Sequence, residues 1–465
     1  MSDTSTINRT PLMIVLISGA FVAILNQTLL GTALPHIMDD LNIETATAQW
    51  LQSIFMLVNG IMIPITAFLI ERFTTRALFL TAMGSFALGT AVCAISPDFT
   101  VLLIGRILQA AGAGIMMPLM QTIMFLVFPI EKRGSAMGLF GLVIAFAPAI
   151  GPTLSGWLVE HFPWRSLFYI VLPIAILDII VAYKILVNVT KQTFPKVDPI
   201  SISLSTVGFG GLLFGFSYAG DEHHGWGSPF VYIPLIIGAI TLFFFIMRQL
   251  RIEKPILEFR IFKYKMFTLT TAIGMISFFA MIGGAIILPI MMQQYLGFTA
   301  FESGLALLPG AVLMGLMNPV TGRLFDKFGG KWLAITGLGL IVITTFMFAV
   351  LTTETTFFYL TVVNAIRMFG IAMVMMPVTT AGLNQLPAEL MPHGTAMNNT
   401  MRQMSGAIGT ALLVSVMMNQ ANPDRGLQGM IHGVNVSFIV AGVFALVGFV
   451  LAFFIKNSIP GKLSN

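Results

Sequence analysis

The chain has 465 residues; 57% are hydrophobic, only 9% are charged, and the formal net charge is +5. A soluble globular protein carries roughly 25% charged residues, so no water-facing fold hides this much apolar surface and the solvent of most of the chain must be lipid. The single cysteine, Cys93, excludes an intramolecular disulfide and cysteine-based metal sites, and no HExxH, phosphate loop or nucleophile–base spacing points to an enzyme.

A crossing helix needs about 20 apolar residues, and fourteen segments qualify in chain order: 12–34, 48–70, 77–96, 100–126, 135–159, 167–187, 200–219, 231–250, 268–293, 303–322, 332–352, 357–383, 395–418 and 435–456. The tail before Leu12 is short and polar, and no cleavable signal is expected. Lys and Arg accumulate in alternate loops: Arg72 and Arg76, Lys132 and Arg133, Lys191 and Lys196, the stretch from Arg251 to Lys265, then Arg323, Lys327 and Lys331. The opposite loops hold Arg165 and Arg425. Such asymmetry marks the cytoplasmic side, which places both termini there, with Arg9 at one end and Lys456 and Lys462 at the other. The adjacent pair His223-His224, after Asp221-Glu222, reads as a solvated turn and not as a metal site.

Two stretches about 260 residues apart repeat each other in order. The first has Ile115–Pro118 (IMMP), Pro129–Glu131 (PIE), Gly134–Met137 (GSAM) and Ala149–Pro152 (AIGP); the second has Val374–Pro377 (VMMP), Pro387–Glu389 (PAE), Gly394–Met397 (GTAM) and Ala407–Thr410 (AIGT). The repeat divides the chain into a six-helix bundle over 1–190, two additional helices with their linkers over 191–265, and a second six-helix bundle over 266–465. A duplicated membrane bundle can rock one half against the other about a central site. Glycines at 208, 210, 211 and 215 would allow the first additional helix to pack closely or to flex.

The loop from Gly322 to Lys331 reads GRLFDKFGGK, and its counterpart from Ala67 to Arg76 reads AFLIERFTTR. An acid followed by a base where a helix leaves the membrane can pair with the other half or meet a helix N-terminus. For Asp326 and Lys327, framed by Gly322 and Gly329, a conformational lock is the favoured reading. For Glu71 and Arg72, a lock and simple topogenic charge stand level. In the fifth segment, Gly151-Pro152 removes a side chain and a backbone donor, so the helix can bend there, and Ala145, Ala149 and Gly156 would let a neighbouring backbone approach. Such a helix could pivot between the halves.

These motifs make the chain resemble the major facilitator superfamily. GRLFDKFGGK resembles its loop signature, Arg106–Gly114 (RxxQxxGxG) its helix-four motif, and Ala147–Gly156 with Trp164–Phe168 its helix-five antiporter motif. Asn398–Gln403 and the tract from Pro255 to Phe267 are similar to fourteen-helix drug–proton antiporters of the EmrB/QacA type. The resemblance implies an all-α integral membrane fold of two six-helix bundles related as parallel repeats, with two extra helices between them. It also implies export of lipophilic, often cationic compounds in exchange for protons.

One departure bears on chemistry. Helix one of these antiporters shows LDxTxxNxALP, whereas Leu25–Pro35 reads LNQTLLGTALP, with Asn26 in the aspartate position and Gly31 in that of the asparagine. An amide does not carry a proton at physiological pH. The proton-coupling candidates are therefore Glu302, at the outer end of segment ten, and Asp178, an acid within segment six that could instead snorkel beside Lys184; Glu160 is a weaker third. Arg106 joins them through the helix-four resemblance. Arg367 reads as structural, and Arg402 stays open between function and snorkelling. The polar candidates along a substrate path are Asn26, Gln27, Gln52, Asn59, Gln109, Gln121, Gln293, Gln294, Asn318, Asn398, Asn399 and Arg402, set among Met and Phe residues that give an adaptable apolar wall.

The expected function is proton-driven efflux of lipophilic small molecules by alternating access, from a multi-pass position in a bacterial plasma membrane. No cofactor is expected beyond the coupling proton, nor a metal, a nucleic-acid partner or an obligate protein partner. The alternative is a dedicated exporter of one endogenous metabolite or signalling molecule. A non-transporting membrane receptor is the third reading; it predicts an appended soluble domain.

Overall fold

The computed structural model describes residues 9–219 and 225–456; the His223-His224 turn and Lys462 lie outside them. Fourteen long helices follow in order: α1 (Arg9–Leu41), α2 (Thr45–Arg72), α3 (Thr75–Ala94), α4 (Phe99–Val127), α5 (Arg133–His161), α6 (Ser166–Ile185), α7 (Pro199–Ala219), α8 (Pro229–Arg251), α9 (Lys265–Ile290), α10 (Ala300–Phe328), α11 (Lys331–Met347), α12 (Phe357–Leu383), α13 (Met391–Gln420) and α14 (Gly426–Ala452). Among the described residues there is no strand, as lipid demands of a chain whose backbone groups must bond within each segment.

Short polar residues set the helix starts. Asp98 accepts the Val101 N–H at the head of α4, and Asp198 does the same for Ser201 at α7, where Pro199 fills the first helical position without needing its missing N–H. Even numbers of crossings return a chain to its starting side, so α1 begins and α14 ends on one face, called the terminal face below; the other is the far face.

Thirteen of the helices are long and apolar enough to cross a membrane; α13 is the exception. It has 30 residues, but the run from His393 to Gln403 is polar. That run is mostly buried against protein, so α13 crosses without showing those groups to lipid. At the other extreme, α8 turns Ile236, Ile240, Phe243 and Phe244 outward, as a helix bathed in lipid does.

Helices α1–α6 pack among themselves, as do α9–α14. The seam between the two groups is made by α5 against α10 and α12, and by α13 against α2 and α4. The inserted α7 lies over the α2–α13 side of this seam and α8 covers α7. The glycines of α7 serve close packing: a Cβ at Gly208 would lie 3.1 Å from the Leu242 backbone, and one at Gly211 would lie 2.8 Å from the Pro234 carbonyl.

Candidate functional site

The terminal face is shut by two acid contacts that cross the seam. Asp326, at the end of α10, accepts the Gly134 and Ser135 N–H groups at 2.8 Å each and the Ser135 hydroxyl at 2.5 Å. The carboxylate thus caps the N-terminus of α5, where unpaired N–H groups and the helix dipole favour an anion. Burial raises the electrostatic stakes of this contact, because a half-buried carboxylate leans on its donors. The second contact is its counterpart in the duplication. Glu71, at the end of α2, accepts from His393 Nε2 at 3.0 Å near the start of α13. The Glu258 N–H donates to His393 Nδ1 at 3.2 Å, so that nitrogen is unprotonated and the ring is the neutral Nε2–H tautomer. Glu71, read from sequence as either lock or topogenic charge, therefore crosses the seam as Asp326 does.

The neighbouring motif residues have narrower tasks. Arg72 donates to the Pro195 carbonyl at 2.7 Å, tying down the linker before α7, and Lys327 lies over the Phe328 ring. Gly329 ends α10 with φ of 81°, a left-handed value that favours glycine. Gly322 lets α10 touch α5, since a Cβ there would lie 2.9 Å from the Gly134 carbonyl carbon.

The seam loosens toward the far face. Below it, α5 and α10 are in backbone contact: a Cβ at Gly138 would be 2.5 Å from the Asn318 carbonyl. Further along, Phe146 lies against Gly315. Beyond that level the helices part, and a Cβ at Gly156 or Gly304 would meet nothing within 4 Å. Pro152, Thr153, Leu305 and Leu308 are exposed there. Two expectations for α5 are corrected by this. Gly156 faces open space, and the glycines that bring a backbone close are Gly134 and Gly138, while Gly141 makes room for the Asn318 and Met376 side chains. Gly151 faces Thr28 of α1, within its own half, and Pro152 is exposed, so this pair serves the α1–α5 contact and the seam-facing part of α5 lies elsewhere.

Inside the first half, Arg106 is fully buried. Its Nε donates to the Leu51 carbonyl at 3.1 Å, its Nη1 to Gln109 Oε1 at 3.0 Å, and its guanidinium stacks on Phe55. Gln109 then donates to Thr90 at 2.9 Å and to Asn26 Oδ1 at 3.4 Å. The helix-one position that departs from the family pattern thus ends a chain of amides leading to a guanidinium, without a carboxylate in it.

Across the seam, Asn399 donates to Gln121 at 2.8 Å and Thr122 meets Thr395 at 2.6 Å. Asn318 is buried against Gly138 and Gly141. Gln121 Nε2, Asn398 Oδ1 and Arg402 Nη1 are buried without a hydrogen-bond partner. Gln27, Gln52 and Asn59 are partly buried on α1 and α2, with Gln52 near Gly31. Gln293 and Gln294 stand apart: they are exposed in a π-helical turn at the far end of α9.

The acid candidates separate clearly. Glu302 is exposed, and its carboxylate accepts the Thr299 N–H at 2.8 Å and hydroxyl at 3.0 Å while Thr299 accepts the Glu302 N–H, a complete capping box at the start of α10. Its task is local, which sets it aside as a proton-coupling candidate. Glu160 is also exposed. Asp178 does not snorkel: it is 5% exposed, its Oδ1 accepts the Ser18 hydroxyl of α1, and its Oδ2 has no partner. It is twelve residues into α6, about 18 Å from the far end of that helix.

Several participants carry no mark in the sequence: His393, Ser135, Ser18 and Asn384, the last of which accepts from Arg133 at 2.9 Å across the seam. Their partners are more than a hundred residues away in sequence, and no local pattern marks them.

A helical bundle that closes at one face across a duplicated seam and parts at the other is the architecture of a membrane carrier. The family model of the Major Facilitator Superfamily matches residues 16–410, and the chain belongs to that superfamily; its fourteen helices place it with the EmrB/QacA-type members. It is similar to the MFS-type transporter YcnB of Bacillus subtilis, at 57% identity over 97% of this chain and 96% of the relative. It is also similar to the lincomycin resistance protein LmrB of the same organism, at 44% identity over 96% of each. Among solved structures, the human organic anion transporter MFSD10 (TETRAN) shares the fold, with a TM-score of 0.71 at 14% identity over 96% of this chain and 99% of that one. The protein is thus a multi-pass membrane transporter of small molecules and not an enzyme.

Proposed function

We propose that the protein exports lipophilic small molecules from the bacterial cytoplasm in exchange for protons, with the terminal face cytoplasmic. The observation that carries this reading is the pair of acid contacts, Asp326 on the α5 N-terminus and Glu71 on His393, that shut one face while α5 and α10 part at the other. Two such contacts at duplicated positions form an alternating gate, and the similarity to a lincomycin resistance protein directs the gate toward drug efflux. The charge asymmetry of the loops supports the orientation.

Asp178 is the residue proposed to carry the proton. It is buried, its partner is a neutral hydroxyl, its Oδ2 is unpaired, and among the described residues no cation is paired with it. Its contact with α1 links it to the machinery, because α1 also bears Asn26 and, through Thr28, packs on Gly151 of α5. Helix α5 in turn is the one that Asp326 caps. Expression in a drug-sensitive bacterium should raise resistance to a lipophilic drug several-fold, with extrusion that stops when an ionophore collapses the proton gradient. Extrusion that survives the ionophore would remove the coupling.

A further inference from the structure

Three arginines are buried in the bundle, and they differ in what answers them. Each leaves at least one nitrogen unpaired, but Arg106 has the Leu51 carbonyl and Gln109 as oxygen acceptors, with its Nη2 unpaired, and Arg367 donates to the Ala280 carbonyl, with its Nε and Nη1 unpaired. Arg402, 6% exposed, has no oxygen acceptor among the described residues: it meets the Met375 sulfur at 3.7 Å and the face of Phe278 at 5.1 Å, and its Nη1 is unpaired. One helical turn away on the same side of α13, Asn398 is also buried with its Oδ1 unsatisfied. Arg402 lies where α9, α12 and α13 meet, and Phe278 beneath it is only partly buried.

Among the described residues no acid is paired with this charge. Asp178 is on α6 and bonded to α1; Asp39, Asp40, Glu160 and Glu302 lie at far helix ends; Glu71 and Asp326 are committed at the terminal face. The helix-one position that could hold a carboxylate is Asn26. A guanidinium held out of water without an oxygen partner is poised for one, and its planar fork matches a carboxylate or sulfonate.

We propose that Arg402 is a specificity-determining residue that takes the anionic group of an amphipathic substrate, with the apolar body of the substrate against Phe278, and that this site disfavours organic cations. The proposal rests on the exporter reading and narrows its substrate class to lipophilic carboxylates and sulfonates, against the cationic compounds that the family resemblance implies.

The test uses the full chain in lipid nanodiscs and two probes that share one hydrocarbon body, 1-pyrenebutyrate and 4-(1-pyrenyl)butyltrimethylammonium. Saturable binding is measured by fluorescence against empty nanodiscs. Wild-type protein should bind the carboxylate at least tenfold more tightly than the ammonium probe. Arg402→Gln should lose at least tenfold in carboxylate affinity without loss for the ammonium probe, and Arg402→Lys should retain most of it. Equal or tighter binding of the ammonium probe by the wild type overturns the assignment, as does absence of saturable carboxylate binding or a folded Arg402→Gln protein that keeps the wild-type preference. The wild-type comparison decides even if a variant fails to fold. Cells that show no gradient-driven extrusion, alongside an intact carboxylate preference in nanodiscs, would sink the exporter reading and leave the role of Arg402 standing.

Discussion

At the scale of single residues, burial and partners separate two acids that sequence could not rank. Asp178 is hidden against Ser18 with one oxygen free, whereas Glu302 closes a capping box in water. Asp178→Asn should abolish gradient-driven efflux while leaving expression and fold intact, and Glu302→Gln should pump as the wild type does; drug extrusion from energised cells, with membrane protein levels measured in parallel, checks both. Normal pumping by Asp178→Asn would return the proton to an unidentified group. The distinction was half legible. The capping box is written in the sequence as Thr299-x-x-Glu302, and that pattern alone argues for a local role. The burial of Asp178 was not legible, because it depends on which face of α6 meets α1, and an acid two turns from a helix end snorkels or packs according to that neighbour. The same holds for His393, whose partners Glu71 and Glu258 come from distant elements.

At the scale of helices, closure of the terminal face turns on the α5–α10 contact. Gly138 admits the Asn318 carbonyl, with no room for a side chain. Gly138→Leu should therefore hold the terminal ends of α5 and α10 apart, abolish efflux, and make engineered cysteines near Ser135 react with a membrane-impermeant maleimide applied from that side. Unchanged labelling would show that the glycine contact does not set closure. The α7–α8 pair behaves differently. Burial opposes ionisation of Asp198, but hydrogen bonds from Ser201 and the Arg248 guanidinium outweigh it and hold its carboxyl below the usual range. The stability it contributes is present above the ordinary carboxylate pKa and is lost only as pH falls through the lowered folded value. Thermal unfolding should thus be unaffected by this pair between about pH 6 and 8, and Arg248→Met should cost at most about 1 kcal/mol, since the ion pair is partly exposed. Helices as such were the most legible feature, because lipid enforces apolar runs of fixed length. α13 is the instructive case: its polar run from His393 weakens the membrane signal because those residues face protein. The place of α7 over the α2–α13 seam had no signature beyond its glycines.

At the scale of the whole molecule, the duplication explains why one face closes. The end of α10 reaches the start of α5, and the end of α2 reaches the start of α13. The repeat was visible in sequence, and Asp326 was marked by its loop, but pairing across the seam was not, since it joins positions 192 and 322 residues apart. Each charge-assisted contact at a helix end is worth about 1–2 kcal/mol, and about 1.4 kcal/mol shifts a two-state population tenfold, so removing both should reverse the preferred state. The direct measurement is double electron–electron resonance in a Cys93→Ser background, with spin labels at Lys132→Cys and Phe328→Cys on the terminal face or at Glu160→Cys and Phe301→Cys on the far face. The otherwise unmodified gate should give a short terminal-face distance and a long far-face one. Asp326→Asn combined with Glu71→Gln should lengthen the first and shorten the second. Distances that stay fixed, or that move in the same direction at both faces, would contradict an alternating gate held by these two acids.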